Sequence, residues 1–144
     1  MANKNIYEVF DEFEEARSKK QRMEVIGRNL SQTLVEVLRL TFHPNFQWYV
    51  DDMPENYIVQ MDTKLPGLGR TQLSTDLRKL YLFQKGHPTA DKLTPRKRNE
   101  LLIQLLETLE PREAEVVMGI FKKDLGVKGL TYKFIKDNTQ GVLP

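Results

Sequence analysis

The chain has 144 residues, 40% of them apolar and 29% charged, the balance of one globular domain with its own core and not of a disordered chain. It has no cysteine and two histidines, His43 and His87, which excludes disulfides and thiolate metal sites and leaves too few histidines to build a zinc site by themselves. The net charge of +2 hides an uneven distribution: residues 1–62 carry −4, residues 64–98 carry +7 and residues 99–144 carry −1, so the middle of the chain is its basic part.

Residues 5–16 place Ile6, Val9, Phe10 and Phe13 at helical spacing with acidic residues between them. Ser18 and Gln21 form a capping-box pattern that opens a second helix containing Met23, Val25 and Ile26. Ser31 caps a third, whose stripe runs through Leu34, Val35, Leu38 and Thr41 or Phe42. His43-Pro44-Asn45 stops it, with His43 at the C-cap. A short aromatic segment follows, with Phe46, Trp48, Tyr49 and Val50, and Pro54 limits it. Asn56–Arg70 is irregular, and Pro66-Gly67-Leu68-Gly69 reads as a loop.

A helix from near Ser74 to Phe83 is expected to bury Leu73, Leu77, Leu80 and Tyr81 and to end at Gly86-His87-Pro88. Thr94 at an N-cap with Pro95 at the first helical position is the clearest start signal in the chain. Leu101, Leu102, Leu105, Leu106 and Leu109 follow as a core stripe. Pro111 opens another helix, with Ala114, Val117, Met118 and Phe121 inward, and Gly126 and Gly129 break it. Leu130–Ile135 makes a last short helix. These elements predict an all-α fold, a single compact bundle of six or seven short helices spanning residues 1–144. No apolar run approaches the roughly 18 residues that cross a bilayer. The N-terminal residues Met1 to Asn5 lead straight into an acidic amphipathic stretch, unlike a signal peptide. The expected location is the cytoplasm, without membrane contact.

Enzymatic signals are poor. There is no GxxxxGK[ST] phosphate loop, and Pro66-Gly67-Leu68-Gly69 lacks the strand–loop–helix context of a nucleotide fingerprint. Asp51-Asp52 are adjacent carboxylates without a recognisable third metal partner and read as solvated, and Ser74 reads as a helix cap. Trp48 and Tyr49 sit among Phe42, Phe46 and Val50, which favours a core or groove-wall role over base stacking. No catalytic residue, metal site or cofactor is expected.

The basic features carry more. Arg96-Lys97-Arg98 fills the first turn after the Thr94-Pro95 start. Exposed cations there oppose the helix dipole at about 0.3–1 kcal/mol each. A phosphate reverses that sign, because it attracts both the cations and the free N–H groups of the turn. Lys122, Lys123 and Lys128 flank Gly126 and Gly129. They read equally well as a phosphate-binding loop or as a glycine-terminated helix end carrying lysines.

Three stretches resemble the N-terminal helical DNA-binding domain of ATP-dependent DNA ligases, in the compact form found in T-even-type phages. The first is Thr33–Phe42 with Phe46-Gln47-Trp48-Tyr49-Val50, similar to a helix ending in RLTY followed by a QYYI-like segment. The second is Leu73-Ser74-Thr75-Asp76-Leu77, then Asp91-Lys92-Leu93-Thr94, similar to LTLTDML and RKLTG. The third is Glu115–Val127 and then Gly141-Val142-Leu143-Pro144, similar to VLRRVMMRDLECG and a closing PGLIP-like segment. Here Gly126 follows Leu125 directly, which departs from that pattern. The likeness covers residues 19–144 and leaves the acidic helix of residues 1–18 outside. The start Asn3–Phe10 also resembles that of a family of small proteins of T-even-like marine phages.

The ligase resemblance implies a stand-alone domain that grips the backbone of double-stranded DNA, intact or nicked, in phage DNA metabolism within a host cell. The basic residues it puts on the DNA side are Lys64, Arg70, Arg96, Lys97, Arg98, Lys122, Lys123 and Lys128, with Gly129. The alternative is a helical protein-interaction module that reuses the scaffold against a phage or host replication or transcription protein. The acidic N-terminal helix would then be the docking element. The adenylated lysine motif K-x-D-G is absent: Lys122-Lys123-Asp124-Leu125-Gly126 has an extra leucine. Incubation with labelled ATP is therefore expected to leave the protein unlabelled, and a covalent adenylate on any lysine would refute a non-catalytic reading.

Overall fold

The computed structural model describes residues 5–50 and 73–139, together with Gly141 and Leu143. Among them are eight α-helices: α1 (Ile6–Glu15), α2 (Lys19–Arg28), α3 (Gln32–Phe42), α4 (Leu73–Asp76), α5 (Pro88–Lys92), α6 (Pro95–Thr108), α7 (Pro111–Lys122) and α8 (Tyr132–Asn138). A 3₁₀ helix, Leu77–Phe83, continues α4. The described residues contain no strand; the one β-type feature is an isolated antiparallel bridge between Trp48 and Gln84. The fold is all-α, and the eight α-helices of the described residues already exceed the predicted six or seven.

Most of the helices begin where a side chain accepts an otherwise unpaired N–H group; α1, after Asn5, does not. Ser18, Ser31, Thr94 and Thr131 each take the N–H three residues on, from Gln21, Leu34, Lys97 and Phe134. The Ser18 box is modified: Gln21 reaches back to the N–H of Arg17 instead of Ser18. Glu110 caps α7 through Oε2, which accepts from Arg112 and Glu113. His43 ends α3, and its Nδ1 accepts from the Asn45 N–H.

The core centres on α7, in which Ala114 and every residue from Val116 to Phe121 are buried. Helices α1, α3 and α6 pack against it. α1 supplies Ile6, Val9, Phe10 and Phe13; α3 supplies Leu34, Val37, Leu38 and Leu40; α6 supplies Leu102, Leu105 and Leu106. Gly119 lets the chain after α7 fold back, since a Cβ there would stand 3.0 Å from the Leu125 Cα. The acidic helix α1 is thus part of the core. Arg112 of α7 donates to both Asp11 oxygens at 2.6 and 2.7 Å and lies over the Tyr7 ring, and Arg28 pairs with Glu12. The Arg112 hydrogen bonds hold the Asp11 carboxyl below the ordinary carboxylate range.

Two sequence expectations are corrected. Tyr81 is 43% exposed, and Phe83 is buried in its place. The segment is 3₁₀, with three residues per turn, so the buried face runs Leu77, Leu80, Phe83 and not along an α-helical i+4 step to Tyr81. Gly86-His87-Pro88 does end one helix, but it also opens α5: Pro88 stands at N1, and His87 Nδ1 accepts from Thr89 N–H at 3.2 Å. Met23 is also outside the core, 43% exposed, whereas Val25 and Ile26 are buried.

Leu106 is completely buried. Leu106→Ala is expected to cost on the order of 2–5 kcal/mol in denaturant unfolding, the transfer term plus a cavity at the α6–α7 contact. A near-neutral result would place that stripe outside the core.

Candidate nucleic-acid interface

The aromatic segment before residue 50 organises the basic region. Tyr49 N–H donates to Phe83 O and Lys85 N–H to Gln47 O, both at 2.8 Å. This short ladder lays the segment along the end of the 3₁₀ helix. Trp48 is buried against Phe46 and Phe121. Tyr49 is half-buried and becomes a hub. Its hydroxyl donates to Asp91 Oδ1 at 2.6 Å, and Gly86, in a turn with φ +90°, donates its N–H to the same oxygen at 3.0 Å. These two bonds hold the Asp91 carboxyl low, and the same contact raises the Tyr49 phenol.

Arg98 lies over the Tyr49 ring at 3.9 Å, and its Nη2 donates to the carbonyls of Ala90 and Leu93, each at 3.1 Å. It ties the first turn of α6 to the end of α5, where carbonyls and the helix dipole both favour a cation. The exposed cations here are Lys85, Lys92, Arg96 and Lys97. The Arg96 side chain is 93% exposed. Glu100, which sequence reasoning missed, stands 3.6 Å from Arg96 and 4.0 Å from Lys97 on the next turn. These i,i+4 and i,i+3 pairs offset part of the dipole penalty, but they are exposed and worth only a few tenths of a kcal/mol.

The second set of basic residues divides in the same way. Lys123 terminates α7 in the left-handed region, φ +59°. Its ammonium donates to His43 O and Phe46 O, both at 2.8 Å, and burial lowers its pKa. It locks the end of α7 to the end of α3. Lys122 and Lys128 are exposed. Gly129, φ +84°, leaves room for Arg22: a Cβ there would meet Arg22 Nη1 at 2.7 Å. Its role in the structure is to seat that guanidinium, which lies over the Phe13 ring. Lys64 and Arg70 lie outside the described residues.

Of the nine sequence candidates, then, the structure groups Arg96, Lys97 and Arg98 around α6 and adds Lys85 and Lys92. Arg98 and Lys123 are occupied by fold contacts. The segment His43–Tyr49 links the two places, touching Lys123 at one end and Lys85 and Arg98 at the other.

A family profile covers residues 9–127, from within α1 to the loop after α7. The chain belongs to the family of unknown function DUF6433. No curated protein matches it. The match to DUF6433 includes the whole Tyr49 hub and Lys123, and it excludes Lys128 and Gly129.

The division between cations held by fold contacts and cations exposed at the surface is measurable. Arg98→Ala is expected to destabilise this DUF6433 protein by about 1–3 kcal/mol, through two lost hydrogen bonds from a charged donor and the stacked ring. Arg96→Ala is expected to stay within about 0.5 kcal/mol. Chemical denaturation of both variants checks the contrast, and equal effects would contradict it.

Proposed function

We propose that this protein is a non-catalytic binder of double-stranded DNA that contacts the phosphate backbone. One observation carries the reading. Residues 85–98 hold five cations and one acid, and that acid, Asp91, is engaged by Tyr49 and Gly86. Four of the cations, Lys85, Lys92, Arg96 and Lys97, are exposed on the turn before α5, on α5 and in the first turn of α6, where Glu100 pairs with Arg96 and Lys97 at the surface. Such a field attracts a polyanion and positions it without reading bases. Arg96 and Lys97 stand in the first turn of a 14-residue helix, whose dipole also favours a phosphate, although Thr94 already takes the Lys97 and Arg98 N–H groups. The similarity of three sequence stretches to phage ligase DNA-binding domains supports the same partner and a role in phage DNA metabolism.

A second reading, a protein-interaction module, is favoured by a cleft of about 150 Å³ between α1, α7 and the loop after it. Asp11, Glu14 and Glu115 line it beside Tyr7, Phe10 and Val116, together with Arg112, which holds Asp11 and leaves Glu14 and Glu115 as its acids. That lining suits a basic, partly apolar peptide.

Salt-titrated anisotropy with a labelled duplex tests the first reading. Four phosphate contacts predict that log affinity falls with log salt at a slope of roughly −3.6. Arg96→Ala with Lys97→Ala is expected to weaken binding to all sequences alike and to reduce the slope by about one unit per lost contact. An unchanged slope would remove α6 from the interface. Absence of duplex binding at low salt would favour the peptide-binding reading.

A further inference from the structure

Away from the Tyr49 hub, an open cleft of about 360 Å³ lies between the first turn of α3 and the α4–3₁₀ segment. Gln32, Thr33 and Glu36 line one side, and Ser74, Thr75, Leu77 and Arg78 the other. Two contacts fix its walls. Ser31 caps α3 through the Leu34 N–H, and Glu113 of α7 accepts the Leu73 N–H at 2.8 Å, holding the start of α4.

Most polar side chains of this cleft have no partner among the described residues. Gln32, Thr33, Ser74, Thr75 and Arg78 make no side-chain hydrogen bond or ion pair with any described residue. The N–H groups of Gln32 and Thr33 have no intrahelical acceptor, because they are the first two of an 11-residue helix. Glu36 is the one acid among the described lining residues, and Arg39 pairs with it at 3.3 Å. The cleft therefore gathers three hydroxyls, an amide and a guanidinium, with its one carboxylate already matched by a cation. Donors approaching from two sides suit a tetrahedral anion, and a guanidinium binds phosphate oxygens in a fork. The volume exceeds that of bare phosphate, and Leu77 offers an apolar surface for the carbon face of an attached sugar.

We propose that this cleft is a binding site for a phosphate ester of a sugar, either a free nucleotide or one nucleotide unit of a nucleic-acid strand. It is separate from the basic face at α6 and does not depend on it.

The test uses the full chain at low salt, with thymidine 5′-monophosphate and inorganic phosphate as small probes in calorimetry and a 12-base-pair duplex in anisotropy. Arg78→Ala is expected to lower affinity for the nucleotide roughly tenfold or more, the effect of losing a charge-assisted hydrogen bond. Ser74→Ala combined with Thr75→Val is expected to act in the same direction. Glu36→Gln is expected to strengthen binding severalfold, because it removes a negative charge from the lining. All these positions are surface positions, and unchanged thermal melting checks that the variants fold. If Arg78→Ala weakens the small probes alone, the ligand is a free phosphate ester. If it also weakens the duplex, the cleft takes a backbone phosphate. If neither small probes nor duplex respond to Arg78→Ala, the proposal is overturned. Failure of duplex binding in the parent, with nucleotide binding retained and sensitive to Arg78, would overturn the basic-face reading and leave the cleft standing.

Discussion

The burial of α7 on nearly every face is the constraint on which the rest of the molecule depends. From Val116 to Phe121 every residue of this helix is buried, so partners must cover nearly all its sides. α1, α3 and α6 do so, and each brings an apolar stripe that is incomplete without it. A helix apolar all round is stable in water only inside such a ring. The acidic α1 is held there as firmly as the others: four buried side chains hold it from beneath and the Arg112–Asp11 pair from its edge. The apolar contacts, at roughly 1.5–3 kcal/mol for each fully buried side chain, outweigh an exposed ion pair worth about 1 kcal/mol or less.

The ends of α7 transmit this order to the surface. At its start, Glu110 caps the helix and Glu113 receives the Leu73 N–H, so α4 and the cleft beside it are placed from the core outward. Burial raises the Glu113 carboxyl, with Glu110 and Asp76 adding to the effect. At its end, the left-handed Lys123 turns the chain and its ammonium holds the carbonyls of His43 and Phe46. The aromatic segment that follows is thereby aimed at the 3₁₀ helix, where Tyr49 gathers Asp91, Arg98 and Lys85. Both polar surfaces, the basic face and the cleft, are therefore consequences of how one buried helix is terminated.

The cations serve two physical ends. Arg98 and Lys123 each donate to two backbone carbonyls that end neighbouring chain segments, and their charge is spent within the fold. Lys85, Lys92, Arg96 and Lys97 donate to no such carbonyl among the described residues; Asp91 is engaged by Tyr49 and Gly86, and Glu100 meets Arg96 and Lys97 only in exposed pairs at 3.6 and 4.0 Å. Their field is directed outward. The same reasoning separates the cleft residues, whose donors face space, from the capping serines and threonines, whose oxygens face backbone.

The helix starts and the principal apolar stripes were legible in the sequence because they are local. A serine or threonine finds its acceptor role three residues on, and a leucine stripe is set by the 3.6-residue turn. Ser31, Thr94 and Pro111 accordingly mark helix starts in the structure, and the all-α class follows from them. The 3₁₀ helix was not legible: Tyr81 and Phe83 compete for one buried place, and contact with Phe121 of α7 decides for Phe83. The concentration of positive charge between residues 64 and 98 was also local and visible. Which cations remain free was decided only by tertiary structure, because the acceptors that occupy Lys123 lie 80 and 77 residues away and the ring beneath Arg98 belongs to Tyr49. A sequence shows that a charge is present; only the folded chain shows whether a distant carbonyl has already taken it.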